Sequence, residues 1–335
     1  MSQSVLRWAI LGAARVNERL MPAIVAAKNA ELIAIASRRE GAAAETLTKY
    51  APELKAVRTT DTPEQLLASD DIDAIYLPMA NDEHYEWALK AIAQGKHVLI
   101  EKPMALKHEH IEEIEAAAIK QNVVVMEGFM YCFHPQHAYV QELIDSGVIG
   151  EVRTVRTSFS FPMKPARMYR LEKNIENGGG AMWDIGPYAI HTARKWFDGE
   201  PNSVTAMAKF IDSGADTSFS GIYDYGDGRY SHFDMSFERA RRSEYEIIGT
   251  LGGIKCHTVW QNPEEKPVIS WWTDAGEQHQ VELDKANHFD LEIEHFSDCV
   301  LNDNKPALTL ADAKGNCKAT EAAIQSAKQG ITISI

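Results

Sequence analysis

The sequence predicts an α/β domain with a parallel sheet, followed by an α+β domain with a mainly antiparallel open sheet. The chain has 335 residues, more than one hydrophobic core usually organises. In its first third, short apolar runs such as LIAIA at 32–36 alternate with helical patterns, as in a parallel sheet buried on both faces. From about Gly150 onward, alternating polar and apolar residues indicate antiparallel strands instead. We therefore expect domains at residues 1–126 and 127–335, with the C-terminal helix packing back on the first.

Each element of this scheme has its own pattern in the chain. In the first domain we predict strands at Leu6–Leu11, Leu32–Ser37, Ala74–Pro78, Val98–Ile100 and Val123–Met126, and helices at Val16–Lys28, Ala42–Tyr50, Tyr85–Gln94 and Glu109–Lys120. In the second we predict strands at Val152–Phe161, Ser203–Ile211, Gly221–Tyr225, Ser231–Phe237 and Glu244–Leu251, and helices at Asp184–Phe197, His288–Leu301 and Asp312–Lys328. The turn Gly226-Asp227-Gly228 predicts a hairpin.

Composition excludes several classes of function. A net charge of -14 argues against a nucleic-acid partner, whose phosphates attract basic surfaces. No apolar run approaches the length of a membrane span, and Met1–Ile10 lacks the features of a signal peptide. The 4 cysteines are far apart, so we expect free thiols and no metal site. These features predict a cytoplasmic protein with no membrane partner.

The first strand leads into a turn of the kind that binds dinucleotides. Gly12, Ala13, Ala14, Arg15 and Val16 lie between a predicted strand and a predicted helix. There, backbone N–H groups and a helix N-terminus approach a pyrophosphate in Rossmann domains. Because only the first glycine of the usual fingerprint is present, an ordinary strand–helix turn is the alternative. The position of the turn favours cofactor binding.

The end of the second strand predicts which dinucleotide binds. Ser37, Arg38 and Arg39 stand where NAD enzymes commonly carry an acidic residue for the ribose 2′-hydroxyl. A hydroxyl and guanidinium groups suit a 2′-phosphate instead. We therefore expect NADP(H) to be preferred, with NAD(H) still possible. The alternative is that the arginines only begin a solvated helix.

A lysine directly follows the strand at Val98–Ile100, in the sequence Glu101-Lys102-Pro103. The carboxyl edge of an open parallel sheet is where such folds bind ligands. An ammonium group there can stabilise a developing alkoxide or carry a proton. Lys102 is therefore the leading catalytic candidate, over the alternative of a surface lysine paired with Glu101.

A glycine-rich segment, GGGAMWDIGPYAIH at 178–191, leads into a predicted helix. Its glycines allow a close approach of the backbone to another surface. Asp184, Tyr188 and His191 follow at helical spacing and share one face. They either orient substrate and exchange protons, or serve as a helix cap, a packed aromatic and a buried histidine.

These segments together resemble the Gfo/Idh/MocA family of NAD(P)-dependent oxidoreductases. The resemblance covers essentially the whole chain and includes PMANDEH at 78–84, EKP at 101–103 and EGFMYCFHPQH at 127–137. It is strongest to the branch of dihydrodiol dehydrogenase, D-xylose dehydrogenase and ketosugar reductases.

The resemblance implies a role for individual residues. It makes Lys102 the catalytic lysine, Asp184 a substrate-binding aspartate and Tyr188 the proton donor where many members carry histidine. Cofactor contacts are implied for a further set, Leu77, Pro78, Asn81, His84, Glu101 and Lys102 itself. Apart from the resemblance, Arg167, His191 and His288 are weaker substrate candidates. Arg167 and His288 are expected in segments of the second domain that face the cleft, the alternative being an ordinary surface position for either. Cys132 replaces an arginine usual in relatives, and the second sheet is implied to form a homodimer or homotetramer.

We therefore predict hydride transfer between NADP(H) and a secondary alcohol or ketone of a sugar or cyclic vicinal diol. One alternative is an NAD-dependent glycoside hydrolase of the same fold, which oxidises and re-reduces its substrate in each cycle. The other is a cofactor-sensing regulator without catalysis. The presence of Lys102, Asp184 and Tyr188 favours an enzyme over a sensor.

Overall fold

The computed structural model describes residues 5–260 and 265–335, so the first residues of the stretch searched for a signal peptide lie outside the described part. The strands are β1 (Leu6–Leu11), β2 (Ala30–Ala36), β3 (Arg58–Thr60), β4 (Ala74–Leu77), β5 (His97–Glu101), β6 (Val125–Gly128), β7 (Val152–Ser160), β8 (Ser203–Phe210), β9 (Asp216–Asp224), β10 (Tyr230–Ser236), β11 (Arg242–Gly249), β12 (Gly252–Cys256), β13 (Val268–Thr273), β14 (Gln278–Glu282) and β15 (Ile333–Ser334). The α-helices are α1 (Asn17–Ala26), α2 (Ala42–Tyr50), α3 (Pro63–Leu67), α4 (His84–Ala93), α5 (His108–Gln121), α6 (Gln136–Asp145), α7 (Ala181–Phe197), α8 (His288–Leu301) and α9 (Leu310–Gln329).

The chain forms two compact units whose bounds differ from the expected domains. The first unit extends to Phe133 and also includes residues His288–Lys314. The second consists of His134–Asn287 and Gly315–Ile335. Helix α8 therefore belongs to the first unit, whereas most of α9 belongs to the second. This division depends on contacts between residues that are far apart in the sequence. The hydrophobic periodicity of the chain cannot predict such contacts.

Among its described residues, the first unit contains a six-stranded sheet in the order β3-β2-β1-β4-β5-β6. All its neighbouring strands are parallel. The strands read as continuous apolar runs because helices cover them, with α1 against β2 and α4 against β4 and β5. The order reverses direction between β1 and β4, where doubly wound sheets bind their ligands. The predicted α/β class is confirmed.

Helix α8 completes the core of the first unit. The fully buried Trp8 ring of β1 lies 5.1 Å from the ring of Phe296, measured between centroids. Its indole N–H donates a hydrogen bond of 3.1 Å to the Ser297 hydroxyl. The helix also packs against α1 and against the short 3-10 turn Met130–Phe133. A segment from near the end of the chain thus covers the first strand.

The second unit contains a nine-stranded sheet among the described residues, in the order β14-β13-β12-β11-β7-β10-β9-β8-β15. Every neighbouring pair is antiparallel except β7 and β10, which are parallel. The predicted hairpin at 226–228 connects β9 and β10, with Tyr225 N donating to Arg229 O at 2.9 Å. Helix α7 packs against β7, β9 and β10. The predicted mainly antiparallel α+β class is confirmed.

The two faces of this second sheet differ in their side chains. Strand residues such as Phe219, Phe233 and Tyr245 are buried on the face toward α7. The opposite face carries exposed apolar side chains, including Met207 (75% exposed) and Ile222 (43%), beside the Arg156–Glu246 ion pair. One face is therefore core and the other is open.

No helix of the described residues is long and apolar enough to cross a membrane.

Candidate active site

The predicted cofactor residues of the first unit lie at one edge of the parallel sheet. Gly12 follows β1, Ser37 follows β2, Pro78 follows β4 and Lys102 follows β5. Since parallel strands end at the same edge, the structure brings these loops together at the point where the strand order reverses.

The turn after β1 keeps its shape with a single glycine. Gly12 adopts a φ of +138°, and a Cβ there would lie 3.5 Å from Met79 Cγ and 3.6 Å from Pro78 Cγ. Asn17 stands where the usual fingerprint has its third glycine. Its buried side-chain amide donates to Gly12 O at 2.9 Å and so links the two ends of the turn. Helix α1 starts at this residue. The Gly12 turn thus leads directly into a helix N-terminus, an arrangement that fits a dinucleotide.

The remaining turn residues are half-buried or exposed and make local contacts. Ala14 O accepts from Asn17 N at 3.2 Å, and Ala13 O accepts from Arg39 Nη2 at 2.8 Å. Arg15 lies 4.0 Å from the exposed Glu18 carboxylate. Val16 immediately precedes α1.

The two arginines after β2 have different partners. The Ser37 hydroxyl is buried and accepts from Arg39 N at 3.2 Å. Arg38 Nη2 forms an ion pair with Glu83 Oε1. Its guanidinium also lies 5.9 Å from the centroid of the Trp87 ring. Neither arginine begins a helix, since α2 starts at Ala42. A hydroxyl and two guanidinium groups at this edge fit a 2′-phosphate.

The residues at the end of β4 and directly after it differ in how far they are buried. Leu77 and Pro78 are buried, and Asn81 is half-exposed in the 3-10 turn Asn81–Glu83. His84 is 1% exposed, and each of its ring nitrogens faces a backbone carbonyl, Nδ1 at 2.7 Å from Pro103 O and Nε2 at 2.9 Å from Met79 O. Burial lowers the pKa of His84, and the Lys102 charge adds to that effect, whereas the two carbonyls oppose it. A neutral imidazole donates to one carbonyl at a time.

The Lys102 segment is held on both sides by buried polar groups. His84 contacts Pro103 O, and the Glu127 carboxylate accepts from Met104 N at 2.6 Å. The Lys102–Pro103 peptide is cis. The Tyr76 hydroxyl donates to Glu101 Oε1. The roles of Tyr76 and Glu127 were not predicted from the sequence, although a glutamate within an apolar strand was a signal for Glu127.

A further buried carboxyl lies on α8. Glu292 is 0% exposed, and burial raises its pKa well above the usual value, an effect to which the charges of Glu101 and Cys132 add. Neither carboxyl oxygen has a hydrogen-bond partner among the described residues. This carboxyl was not among the residues predicted from the sequence. His288 begins the same helix, is 1% exposed, and belongs to the first unit, so its expected place in the second domain was wrong.

In the second unit, two of the glycines before α7 allow close packing. A Cβ on Gly179 would overlap Lys173 O, and a Cβ on Gly180 would overlap the Asp216 carboxylate. Gly180 also has a φ of +97°. The predicted close approach is therefore made to Lys173 and Asp216.

The buried Asp216 carboxylate stabilises the start of α7. Asp216 Oδ2 accepts from Met182 N at 3.0 Å, which places a negative charge at the helix N-terminus. Burial nevertheless raises the pKa of Asp216 to about 7, because desolvation outweighs its backbone hydrogen bonds. The alternative that Asp184 caps this helix was wrong, since the cap residue is Gly180 and the side chain accepting from the first turn is Asp216.

The three candidates on α7 are buried along one helix, as their spacing predicts. Asp184 forms an ion pair with Arg170. The Tyr188 ring packs 5.8 Å from Phe159 and 6.0 Å from Trp260, centroid to centroid. His191 is 4% exposed.

Arg167 lies in a 3-10 turn that precedes α7 in the chain. Its guanidinium is 5.3 Å from the Phe161 ring centroid. Arg170, the partner of Asp184, is in the same 3-10 turn Pro165–Leu171. Arg170 was not predicted from the sequence, because its pairing with Asp184 depends on the path of the intervening loop.

Comparison with known proteins identifies the family. Residues 6–129 match the family described as an oxidoreductase family with an NAD-binding Rossmann fold. Residues 137–255 match the GFO/IDH/MocA C-terminal domain. The chain belongs to the Gfo/Idh/MocA family of oxidoreductases. The predicted family and the enzyme class are confirmed.

Three relatives represent the predicted branch. A D-xylose 1-dehydrogenase (NADP(+)) from Haloferax volcanii is 29% identical, over 98% of this chain and 100% of its own length. A trans-1,2-dihydrobenzene-1,2-diol dehydrogenase from Xenopus laevis is 29% identical, over 92% and 94%. The crystal structure of a 3-ketoreductase from Actinomadura kijaniata with NADP and TDP-benzene has a TM-score of 0.89 at 29% identity, over 96% and 98%.

These relatives agree with the predicted branch, activity and cofactor. They are dehydrogenases or a ketoreductase, their names include a sugar and a cyclic diol, and two of the three name NADP. Solved forms of the ketoreductase include variants with a lysine or a tyrosine replaced.

Proposed function

We propose that this chain transfers a hydride between NADP(H) and a secondary alcohol or ketone of a sugar or cyclic vicinal diol. The observation that carries the proposal is Lys102 at the carboxyl edge of a Rossmann sheet, with its neighbours Pro103 and Met104 held by His84 and Glu127. The named substrates of the relatives support the substrate class.

The cofactor site is proposed at the loops of the first unit. The α1 N-terminus and the Gly12 turn (Gly12 to Val16) would hold the pyrophosphate, and Ser37, Arg38 and Arg39 the 2′-phosphate. Leu77, Pro78, Asn81, His84 and Glu101 are assigned to the nicotinamide half. The bound cofactor supplies or accepts the hydride at the substrate carbon.

Two side chains are assigned to the reacting oxygen of the substrate, one as proton donor and one as a stabilising charge. In the direction of reduction, the Tyr188 phenol donates a proton to the carbonyl oxygen, and the Lys102 ammonium stabilises the charge that develops there. Asp184, with Arg170 as its ion-pair partner, holds a neighbouring hydroxyl. Arg167, His191 and His288 remain weaker candidates for substrate contacts.

Replacing Lys102 tests the catalytic proposal. We expect Lys102→Met to reduce turnover by at least about 100-fold, because the lost ammonium acts mainly in the transition state. NADPH affinity, measured by fluorescence titration, should change by less than about 3-fold, a small free-energy change. The exposed Lys107→Met is the matched control. Unchanged turnover in Lys102→Met would remove the centre of the proposal.

A substrate screen separates the alternatives. Aldoses, ketosugars and cyclic diols are incubated with the pure protein while the near-ultraviolet absorbance of NADPH is followed. Net absorbance change supports the dehydrogenase or reductase. Product without absorbance change indicates the glycoside hydrolase, and cofactor binding with no product from any substrate indicates a sensor.

We further propose that the protein is cytoplasmic and forms a homodimer or homotetramer through the open face of the second sheet. The wide spacing of the four cysteines in the sequence supports a reducing compartment. The exposed apolar side chains of Met207 and Ile222, on the neighbouring strands β8 and β9 of that face, support a protein partner there. Light scattering of the pure chain tests the assembly, and a monomer would contradict it.

A further inference from the structure

The ion pair between Arg38 and Glu83 joins the ends of two strands that are not neighbours in the sheet. Arg38 follows β2, and Glu83 ends the 3-10 turn after β4. Arg38 Nη2 contacts Glu83 Oε1, and the two side chains are 54% and 28% exposed. The guanidinium also lies near the face of the buried Trp87 ring. The arginine is thus placed at the cofactor edge by an acid and an aromatic ring.

The two arginines at this edge therefore differ in the partner of their positive charge. Arg39 donates to a neutral backbone carbonyl, Ala13 O, which does not compensate that charge. Arg38 has its charge compensated by Glu83. A 2′-phosphate that binds to Arg38 and Arg39 therefore finds the Glu83 carboxylate already paired with Arg38.

We propose that Glu83 lowers the preference of this site for a 2′-phosphate by competing with the phosphate for Arg38. A ribose 2′-hydroxyl has no such conflict, since a neutral hydroxyl is not repelled by a carboxylate and can donate a hydrogen bond to it. Glu83 is then a specificity-determining residue that moves an NADP site toward use of both dinucleotides. This inference rests on the proposed NADP function.

A nearby acid on α4 provides a matched control. Glu86 pairs with Lys90 at 2.7 Å, and its charge also interacts with that of Arg38. Glu86→Gln removes the same charge as Glu83→Gln without releasing the guanidinium. A difference between the two variants therefore reports the ion pair and not the net charge of the surface.

The test measures the dissociation constants of NADP+, NAD+ and the fragment adenosine 2′,5′-bisphosphate by calorimetry, using the full chain. We expect Glu83→Gln to bind NADP+ and the fragment about 5-fold more tightly. A change of this size in the dissociation constant corresponds to the free energy of one exposed ion pair. The affinity for NAD+ should stay the same or fall. Glu86→Gln should change each constant by less than about 2-fold, as expected for screened surface charges.

Two results would overturn the inference. Equal changes for NADP+ and NAD+ would show a general charge effect. Weaker binding of NADP+ by Glu83→Gln would show that Glu83 orients Arg38 for the phosphate.

Arg38→Ala separates this inference from the proposed function. If Arg38→Ala weakens NADP+ but not NAD+ while Glu83→Gln has no effect, only the inference fails. If Arg38→Ala leaves NADP+ binding unchanged, the proposed 2′-phosphate site itself is wrong.

Discussion

His84 and Glu127 position the residues that follow Lys102, although neither follows it closely in sequence. His84 faces the carbonyls of Pro103 and Met79, and Glu127 accepts from Met104 N. The motif EKP predicted a reactive lysine at a strand end. Its backbone support comes from the exits of β4 and β6, which only the parallel order of the sheet brings beside β5. Local sequence patterns carry no information about such neighbours.

At the same scale, Glu292 is a buried carboxyl whose charge state affects stability. Burial raises its pKa, so it keeps its proton in the folded protein over a pH range in which the unfolded chain has lost it. The folded state then binds more protons, and the free energy of unfolding falls as pH rises above the ordinary glutamate pKa.

We therefore expect Glu292→Gln to remove part of this pH dependence. Relative to the wild type, the variant should gain stability as pH rises from about 4, by at most about 1.4 kcal/mol per pH unit. Chemical unfolding followed by circular dichroism at several pH values measures the difference. Glu294→Gln, half-exposed on the same helix, is the control. Parallel pH profiles for Glu292→Gln and the wild type would contradict the prediction.

At the scale of elements, helix α7 shows how a sequence motif and a distant residue act together. The run of glycines and the spacing of Asp184, Tyr188 and His191 predicted a closely packed helix with one polar face. The group that the glycines approach, Asp216, lies on β9 and was missed. Its carboxylate accepts from Met182 N in the first turn of α7, although 34 residues separate the two in sequence, a relation that depends on the fold.

The pKa of Asp216, raised to about 7, gives this helix start its own pH dependence. Between the ordinary aspartate pKa and about pH 7, the folded state holds a proton that the unfolded chain has released. Stability therefore decreases as pH rises through this window. Above about pH 7 the ionised carboxylate persists in the folded state, and the loss of stability reaches its limit.

We expect Asp216→Asn to abolish this decrease, because an amide oxygen still accepts from Met182 N but carries no titrating proton. Thermal unfolding midpoints at closely spaced pH values between about 4 and 8 provide the measurement. The exposed Asp212→Asn should follow the wild-type profile. An Asp216→Asn profile that matches the wild type would show that Asp216 does not titrate in this range.

At the scale of the molecule, the first unit is assembled from two separate stretches of chain. Trp8 of β1 is buried against Phe296 and donates to Ser297 on α8. The sequence predicted a helix at His288–Leu301, and the structure has α8 with those bounds. Its amphipathic pattern indicates that one face is buried but does not name the surface that covers it.

This arrangement predicts that the N-terminal stretch alone does not fold. A fragment of residues 5–133 leaves the Trp8 indole uncovered, and we expect no cooperative unfolding transition from it. Joining 288–314 to the fragment through a flexible linker should restore cooperative unfolding and NADP+ binding. Circular dichroism, tryptophan fluorescence and calorimetry measure these properties.

A variant of the joined fragment controls for the linker itself. Phe296→Asp places a charge against the Trp8 ring and should return the joined fragment to the unfolded behaviour. Cooperative folding of residues 5–133 without α8 would contradict the assignment of this helix to the core of the first unit.

The fold class, the family and most element positions could be predicted from the amino-acid sequence, because hydrophobic periodicity and short motifs are local properties of the chain. The same is true of Lys102 at a strand end and of the two arginines after β2. The fold was needed to show that α8 joins the first unit, that Asp216 accepts from the start of α7 and that Glu83 pairs with Arg38. Each of these depends on which distant segments become neighbours, and burial and charge act on neighbours in space.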